Sequence, residues 1–438
     1  MRLRYLLHML IVASISSWLL FSLFWSHLLP EAIGWPGNIK PALEKKGLLC
    51  QGPPDGETVV PACGGLVLLV SAFRDERFSR RTVRVIGVAR RTGLPPLFCH
   101  ICTGPSVFSV PAAVLIHSDH FGFAYGTTDF LCQWKSDTGL ALRVSVSDRE
   151  LPDLSTSFLW IHETARNSTA PFPRQFSVCI STLFGNYSNV LQFVQSLEMY
   201  RLLGAGKVFV YKSSCPPLLQ KVLDHYSSTG LLEVVPWDVG RHLKVSNSWK
   251  PSLGPGDLHY HGQIAALNDC IYRNMVDSAY VVLVDIDELI IPRLHQTWGK
   301  LMDFLSFTHP GVVTFLFEDT LFRNTVFGDD GRLDIWPHVP GVNILRHVHR
   351  EPFQPLSHNA RKLLVNPRLV VWTSVHDTLW LKGTSLNVPP SVAYLHHCRK
   401  PRDMSAKDSQ LLQDTSLWKY SAPLIRNVFR TLSQVLGT

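Results

Sequence analysis

Residues 279–284 read Ala-Tyr-Val-Val-Leu-Val, and Asp285, Ile286 and Asp287 follow at once. An unbroken apolar run of this length is the pattern of a fully buried strand. The neighbouring sequence says what covers it. Residues 176–182, 207–211 and 231–236 are further short apolar runs. Helical spacing of apolar residues falls between them at 189–203 and 216–226, and again over 262–275. Gly204 stands where a C-cap glycine ends a helix. Strands alternating with helices over short connections predict an α/β fold with a parallel sheet and right-handed crossovers. Ligands of such sheets gather at the carboxyl ends of the strands.

Upstream the pattern differs. Short apolar runs at 66–72, 82–89, 112–117, 141–147 and 157–162 alternate with turn signals and predict a small β-rich domain. Residues 30–65 are rich in Pro and Gly and read as a stem. Residues 5–29 are apolar, follow Arg2 and Arg4, and no acid precedes Glu31. A spanning helix needs roughly 20 apolar residues. Positive charge on the N-terminal flank places the N-terminus in the cytosol and the remainder in the lumen. A cleaved signal peptide would end at a small-x-small site, whereas this run ends in Phe24-Trp25 and Leu28-Leu29-Pro30. The expected organisation is a cytoplasmic tail 1–4, a transmembrane signal anchor 5–29, a luminal stem 30–65, a β-rich domain 66–170, an α/β domain 171–401 and a C-terminal tail 402–438. That tail is polar, then weakly helical, with no assigned chemistry.

The 9 cysteines all fall on the expected luminal side, where disulfides persist. Their odd number leaves at least one free or paired between chains, so a disulfide-linked or non-covalent homodimer stays open. Cys99-His100-Ile101-Cys102 has no second pair at zinc spacing and reads as part of structural disulfides. Cys179 and Cys270 sit in apolar segments, where buried free thiols are the alternative to structural disulfides. The net charge of +8 is spread without a block of like charges, so no nucleic-acid partner is expected. Ser71-Ala72-Phe73-Arg74-Asp75-Glu76-Arg77 reads as a solvated turn with local ion pairs rather than a phosphate or acceptor contact. Of two sequons, Asn167 lies in a polar linker and is the expected glycan site, while Asn186 follows the first strand of the α/β domain, where a glycan would obstruct a ligand.

Asp285 and Asp287, two apart in extended backbone, point to one side. At the end of a central strand they meet a ligand rather than the core. Two unpaired carboxylates there repel, and a divalent cation resolves the conflict. Hard oxygen donors favour Mg²⁺ or Mn²⁺ over zinc. Such an ion stabilises a departing diphosphate. Gln263, at a helix start after His261-Gly262, can present its amide to a nucleotide or sugar while the helix N-terminus faces phosphate.

From Phe176 onward the sequence resembles glycosyltransferase family 92. The matching pieces are 179–186 (Cys-Ile-Ser-Thr-Leu-Phe-Gly-Asn), 198–204 (Glu-Met-Tyr-Arg-Leu-Leu-Gly), Val235-Pro236-Trp237, Gly262-Gln263, 267–273 and Val284-Asp285-Ile286-Asp287-Glu288-Leu289-Ile290-Ile291-Pro292. With Ser71-Ala72-Phe73-Arg74-Asp75 included, the resemblance covers roughly residues 70–400. It implies a GT-A-type nucleotide-sugar transferase domain, a divalent metal such as Mn²⁺, a UDP-sugar donor and a glycan acceptor on glycoprotein or glycolipid. Animal members are galactosyltransferases that use UDP-galactose and act on β-galactosides or core fucose, with inversion at the sugar carbon. With the N-terminal anchor, the expected localisation is the Golgi membrane, as a single-pass type II protein. Residues 361–367 resemble the family's basic segment before Pro, which makes Lys362 a donor-binding candidate beside Gln263 and Asp285. Residues 393–399 resemble its His-Tyr-Arg segment, which makes His397 a third metal ligand beside Asp285 and Asp287, although Cys398 stands in place of the usual Tyr. Val375-His376 resembles its Val-His.

Inversion needs a base for the acceptor hydroxyl. Asp319, expected to follow a strand at 312–317 together with Glu318, and Asp377, beside His376, are the catalytic candidates. Two rival readings remain at this level. One is a non-catalytic luminal glycan-binding protein that keeps the fold; the other is a transferase using another UDP-sugar, since donor choice rests on few pocket contacts.

Overall fold

The computed structural model describes residues 40–42, 50–53, 58–77, 81–103, 106–134, 139–153, 156–166, 169–328, 331–353, 360–401 and 408–437. The expected anchor and tail, most of the stem, and Asn167 lie outside the described residues. Among the described residues no helix is long and apolar enough to cross a membrane.

The first strands are β1 (Lys40–Ala42), β2 (Val60–Ala62), β3 (Val67–Arg74), β4 (Thr82–Arg90), β5 (Phe98–Cys102), β6 (Val107–Ile116), β7 (Tyr125–Gln133), β8 (Arg143–Ser147) and β9 (Leu159–Glu163). Seven of them close a ring: β3 pairs with β4, β4 with β7, β7 with β6, β6 with β5, β5 with β8, β8 with β9, and β9 returns to β3. Closure removes the free edges that an open β-sheet would expose. Cys50–Cys102 and Cys99–Cys132 bond within this unit.

The α/β part follows as β10 (Arg174–Leu183), α1 (Val190–Leu203), β11 (Ala205–Lys212), α2 (Pro217–Ser228), β12 (Leu232–Pro236), α3 (Gln263–Arg273) and β13 (Ser278–Val284). The strands run parallel in the order β12-β11-β10-β13. The expected elements are all present, and Gly204 ends α1 with φ 113°. The apolar runs alternate between two cores, as period-two side chains must. Val282 and Val284 face α1, α2 and the C-terminal helix. Val281 and Leu283 face α3 and residues of the β unit such as Phe73 and Ile86. The β unit therefore completes one face of the sheet.

Cys179 and Cys270 form a disulfide that ties β10 to α3, in place of the buried-thiol alternative. Among the described residues the free thiols are Cys63, Cys215 and Cys398.

Next come β14 (Glu288–Pro292), α4 (Trp298–Thr308), β15 (Val312–Arg323), β16 (His349–Arg350), β17 (Arg361–Val365), β18 (Val370–Thr373), β19 (Thr378–Leu381), β20 (Thr384–Val388), β21 (Ala393–Arg399), β22 (Leu412–Gln413) and α5 (Ser421–Leu436). β17 pairs antiparallel with both β13 and β15, and β21 joins β14 to β15. α5 lies in the segment read from sequence as a tail, yet Leu424, Val428 and Leu432 are buried in the core with α1.

The cluster at 71–77 is not a solvated turn. Asp75, Arg84 and Asp129 are all at most 1% exposed. Asp75 accepts from Arg77 (2.8 Å) and Arg84 (2.9 Å), and Arg84 also pairs with Asp129. Burial raises the Asp75 carboxyl, but hydrogen bonds and charge from Arg77 and Arg84 win and hold it near 2. Local sequence showed the charges; it did not show that β4, β7 and α3 enclose them.

Candidate functional site

The strand order reverses between β10 and β13, with β11 and β12 leading away on one side and β17 on the other. A crevice opens at the carboxyl ends beside such a switch point. Val284 ends β13 there, and Asp285-Ile286-Asp287 turns into β14. α1 holds this turn from below: Ser196 donates to the Ile286 carbonyl (2.7 Å), and the Tyr200 hydroxyl reaches the Glu288 carbonyl (2.8 Å). The Asp285 amide donates to the Glu288 carboxylate (2.7 Å).

Asp285 meets two of the residues singled out from sequence. Lys362, on β17, donates to one of its oxygens at 2.7 Å, and Gln263, opening α3, donates to the other at 3.1 Å and to Ser181 at 2.8 Å. Lys362 lies 3.3 Å from the Glu288 carboxylate as well. Burial disfavours its charge, but Asp285 and Glu288 outweigh burial and keep the ammonium protonated. Glu288 had no assigned role in the sequence. Burial pushes its carboxyl up to about 7, with Lys362 opposing.

Asp287 meets the third. His397 on β21 brings Nε2 to 3.3 Å from the Asp287 carboxylate and Nδ1 to 3.1 Å from Asp319. Strand alternation selects between two adjacent histidines: His396 points the other way and stacks on Phe322 with ring centroids 3.8 Å apart. Burial opposes protonation of His397, yet Asp287, Asp319 and Glu288 together raise its pKa to about 10. The reciprocal effect lowers Asp287 against its burial.

Asp319 lies inside β15 rather than after it, because the ladder with β21 carries the strand on to Arg323. Both of its oxygens face His397 Nδ1. Asp377 pairs with Arg361 at 3.1 Å and accepts from the Thr378 amide at 2.8 Å. Asn186 is exposed in the loop after β10.

Among the described residues no three His, Cys, Asp or Glu side chains form a ready metal cage. The donor set nevertheless suits a hard divalent ion. Once its Nε2 proton is given up, an imidazole whose Nδ1–H is held by Asp319 would have its Nε2 lone pair beside the Asp287 carboxylate, the usual support for a metal-binding histidine. Asp285 completes the set in chemistry, with its oxygens held by Lys362 and Gln263.

Residues 174–428 match the family model for glycosyltransferase family 92. That match spans more than half of the chain, and this chain belongs to glycosyltransferase family 92. A glycosyltransferase family 92 protein of Caenorhabditis elegans is 28% identical over 195 residues, 42% of this chain and 36% of the relative. A second from the same organism, the beta-1,4-galactosyltransferase galt-1, is 27% identical over 120 residues, 27% of this chain and 25% of the relative. The matches thus span well under two thirds of those relatives. Among solved structures, a glucosyl-3-phosphoglycerate synthase from Mycobacterium tuberculosis in complex with Mn²⁺ and UDP aligns at 12% identity and TM-score 0.24, over 60% of this chain and 80% of that one. S. aureus TarS in complex with UDP aligns at 14% identity and TM-score 0.25, over 59% and 65%. Both scores lie too low to equate the folds.

Proposed function

We propose that the protein is a metal-dependent inverting glycosyltransferase with a GT-A-type domain. It transfers galactose from UDP-galactose to a β-galactoside or core-fucose acceptor on a glycoprotein. The observation that carries this reading is Asp287 meeting an Asp319-held His397 beside Asp285, at the carboxyl end of the central strand. The name of the relative galt-1 supports the choice of galactose. The apolar run at 5–29 supports a type II anchor in the Golgi membrane.

Asp285, Asp287 and His397 would hold Mn²⁺. When bound, the ion neutralises the diphosphate of the departing UDP. The protein's own groups do the rest. Asp319 keeps His397 in one tautomer, and Lys362 with Gln263 fixes the rotamer of Asp285. Tyr200 and Ser196 hold the backbone of the turn, so the acids are oriented before the donor arrives.

The test is turnover of a panel of UDP-sugars by the full chain in detergent, with Mn²⁺ and with chelator, beside Asp287→Ala. UDP-galactose should be preferred, and both chelation and the substitution should reduce transfer by about 100-fold or more. Metal-independent turnover, or full activity of Asp287→Ala, would refute the assignment.

A further inference from the structure

Inversion requires a group that accepts the proton of the attacking hydroxyl, and the two acids marked for it from sequence are engaged. Both oxygens of Asp319 serve His397, and Asp377 is divided between Arg361 and the Thr378 amide. A base needs an unshared lone pair on the solvent side of the cleft.

His376 has one. It is the exposed residue of the otherwise buried or half-buried turn between β18 and β19. Its Nδ1 sits 2.8 Å from the Arg361 carbonyl. A carbonyl only accepts, so Nδ1 carries the proton and neutral His376 leaves Nε2 bare. Arg361 directly precedes Lys362, the partner of Asp285. Charges on Lys362, Asp285 and Asp319 all act on this ring, and His259 lies close enough to interact with it.

The turn is held by its own backbone and from three other elements. Its own Ser374 amide donates to the Asp377 carbonyl at 2.8 Å. From α3, Asn268 clasps the backbone of Thr373 in both directions, at 2.9 and 3.0 Å. From the β unit, Arg77 donates to the Val370 carbonyl, and Asp129 accepts from the Trp372 indole. From β17, Arg361 pairs with Asp377. Such support from separate elements is what a group needs if it must be positioned before the reaction.

We infer that His376 is the catalytic base of the transfer. The inference rests on the sugar-transfer reading above. Nε2 takes the proton of the acceptor hydroxyl as that oxygen bonds to the anomeric carbon. The bond from that carbon to the diphosphate oxygen breaks, and its electron pair leaves with UDP. The imidazolium then releases its proton to water. Desolvation by the walls around this solvent-reached ring and the Lys362 charge lower the His376 pKa, while the Arg361 carbonyl, Asp285 and Asp319 oppose them, so the ring is neutral near pH 7. Arg361 and Asp377 flank it as a neutralised pair.

His376→Asn places an amide N–H where Nδ1 was and keeps the bond to Arg361, but has no basic Nε2. His376→Gln offers a non-basic group at the Nε2 position. Full-chain variants at saturating Mn²⁺ should bind UDP within threefold of wild type and melt at the same temperature. Their kcat should fall about 100-fold or more, the usual contribution of a general base. The acidic limb of the wild-type kcat/KM profile should vanish in both. Retention of more than a tenth of wild-type kcat, or of the same acidic limb, overturns the inference. Loss of UDP binding with kcat retained also overturns it, by making His376 a donor contact. If the wild-type chain transfers no sugar from any donor, the sugar-transfer reading fails first, and the inference with it.

Discussion

At the scale of single residues, the site is a set of opposed charges whose balance fixes orientation. Lys362 and His397 each lie among several carboxylates, and each keeps its proton because those charges outweigh burial. Asp319 has the most to reveal, because two roles predict different kinetics. As the residue that orients His397, its loss should weaken metal affinity by about 10–100-fold. Asp319→Ala should then show transfer that recovers as Mn²⁺ is raised. A base would be missed at every metal concentration, so a flat, low response to Mn²⁺ would return Asp319 to the role assigned from sequence. The acid pair itself was legible because both acids and the strand before them are contiguous. The neighbours of His376 were not, since they come from α3, β17 and the β unit, separated by long stretches of chain.

At the scale of elements, the helices and strands from 174 to 284 were readable because each buries a continuous apolar run or stripe. β5 and β7 were not, because they carry His100, Thr127, Thr128 and Asp129 into the interior, and only their tertiary partners justify that. His100, for example, is bonded to Ser109 at 2.9 Å and Ser147 at 2.8 Å. β15 outran its expected end for a similar reason, since Asp319 is satisfied by His397 of β21. The Cys179–Cys270 bond closes 91 residues between β10 and α3, the two elements that bring Ser181 and Gln263 to Asp285. Replacing both cysteines by Ser should cost about 2–5 kcal/mol in urea unfolding. An unchanged midpoint would mean that packing alone holds these elements together.

At the scale of the whole molecule, the ion pairs around Asp75 join the β unit to α3 and to the β18–β19 hairpin. Arg77 reaches Tyr272 on α3 as well as the Val370 carbonyl. The folded pKa of Asp75 is depressed from 3.8 to about 2, so its contribution is present above pH 3.8 and lost as pH falls through about 2. That difference corresponds to about 2 kcal/mol. The stability gap between wild type and Asp75→Asn, followed by denaturant unfolding, should therefore close between pH 4 and pH 2. A gap independent of pH would show that the aspartate acts through shape rather than charge.

The cysteines of β5 have a consequence for how the chain matures. Cys99 and Cys102 are three residues apart, and in a strand an odd offset sends them to opposite faces, one towards Cys132 and the other towards Cys50. Before the strand forms, nothing separates them, and each is the other's nearest thiol along the chain. Oxidation that outpaces strand pairing would close the wrong small ring, which must be reopened by thiol exchange. The order of folding and oxidation therefore decides whether this β unit ever covers its face of the α/β sheet.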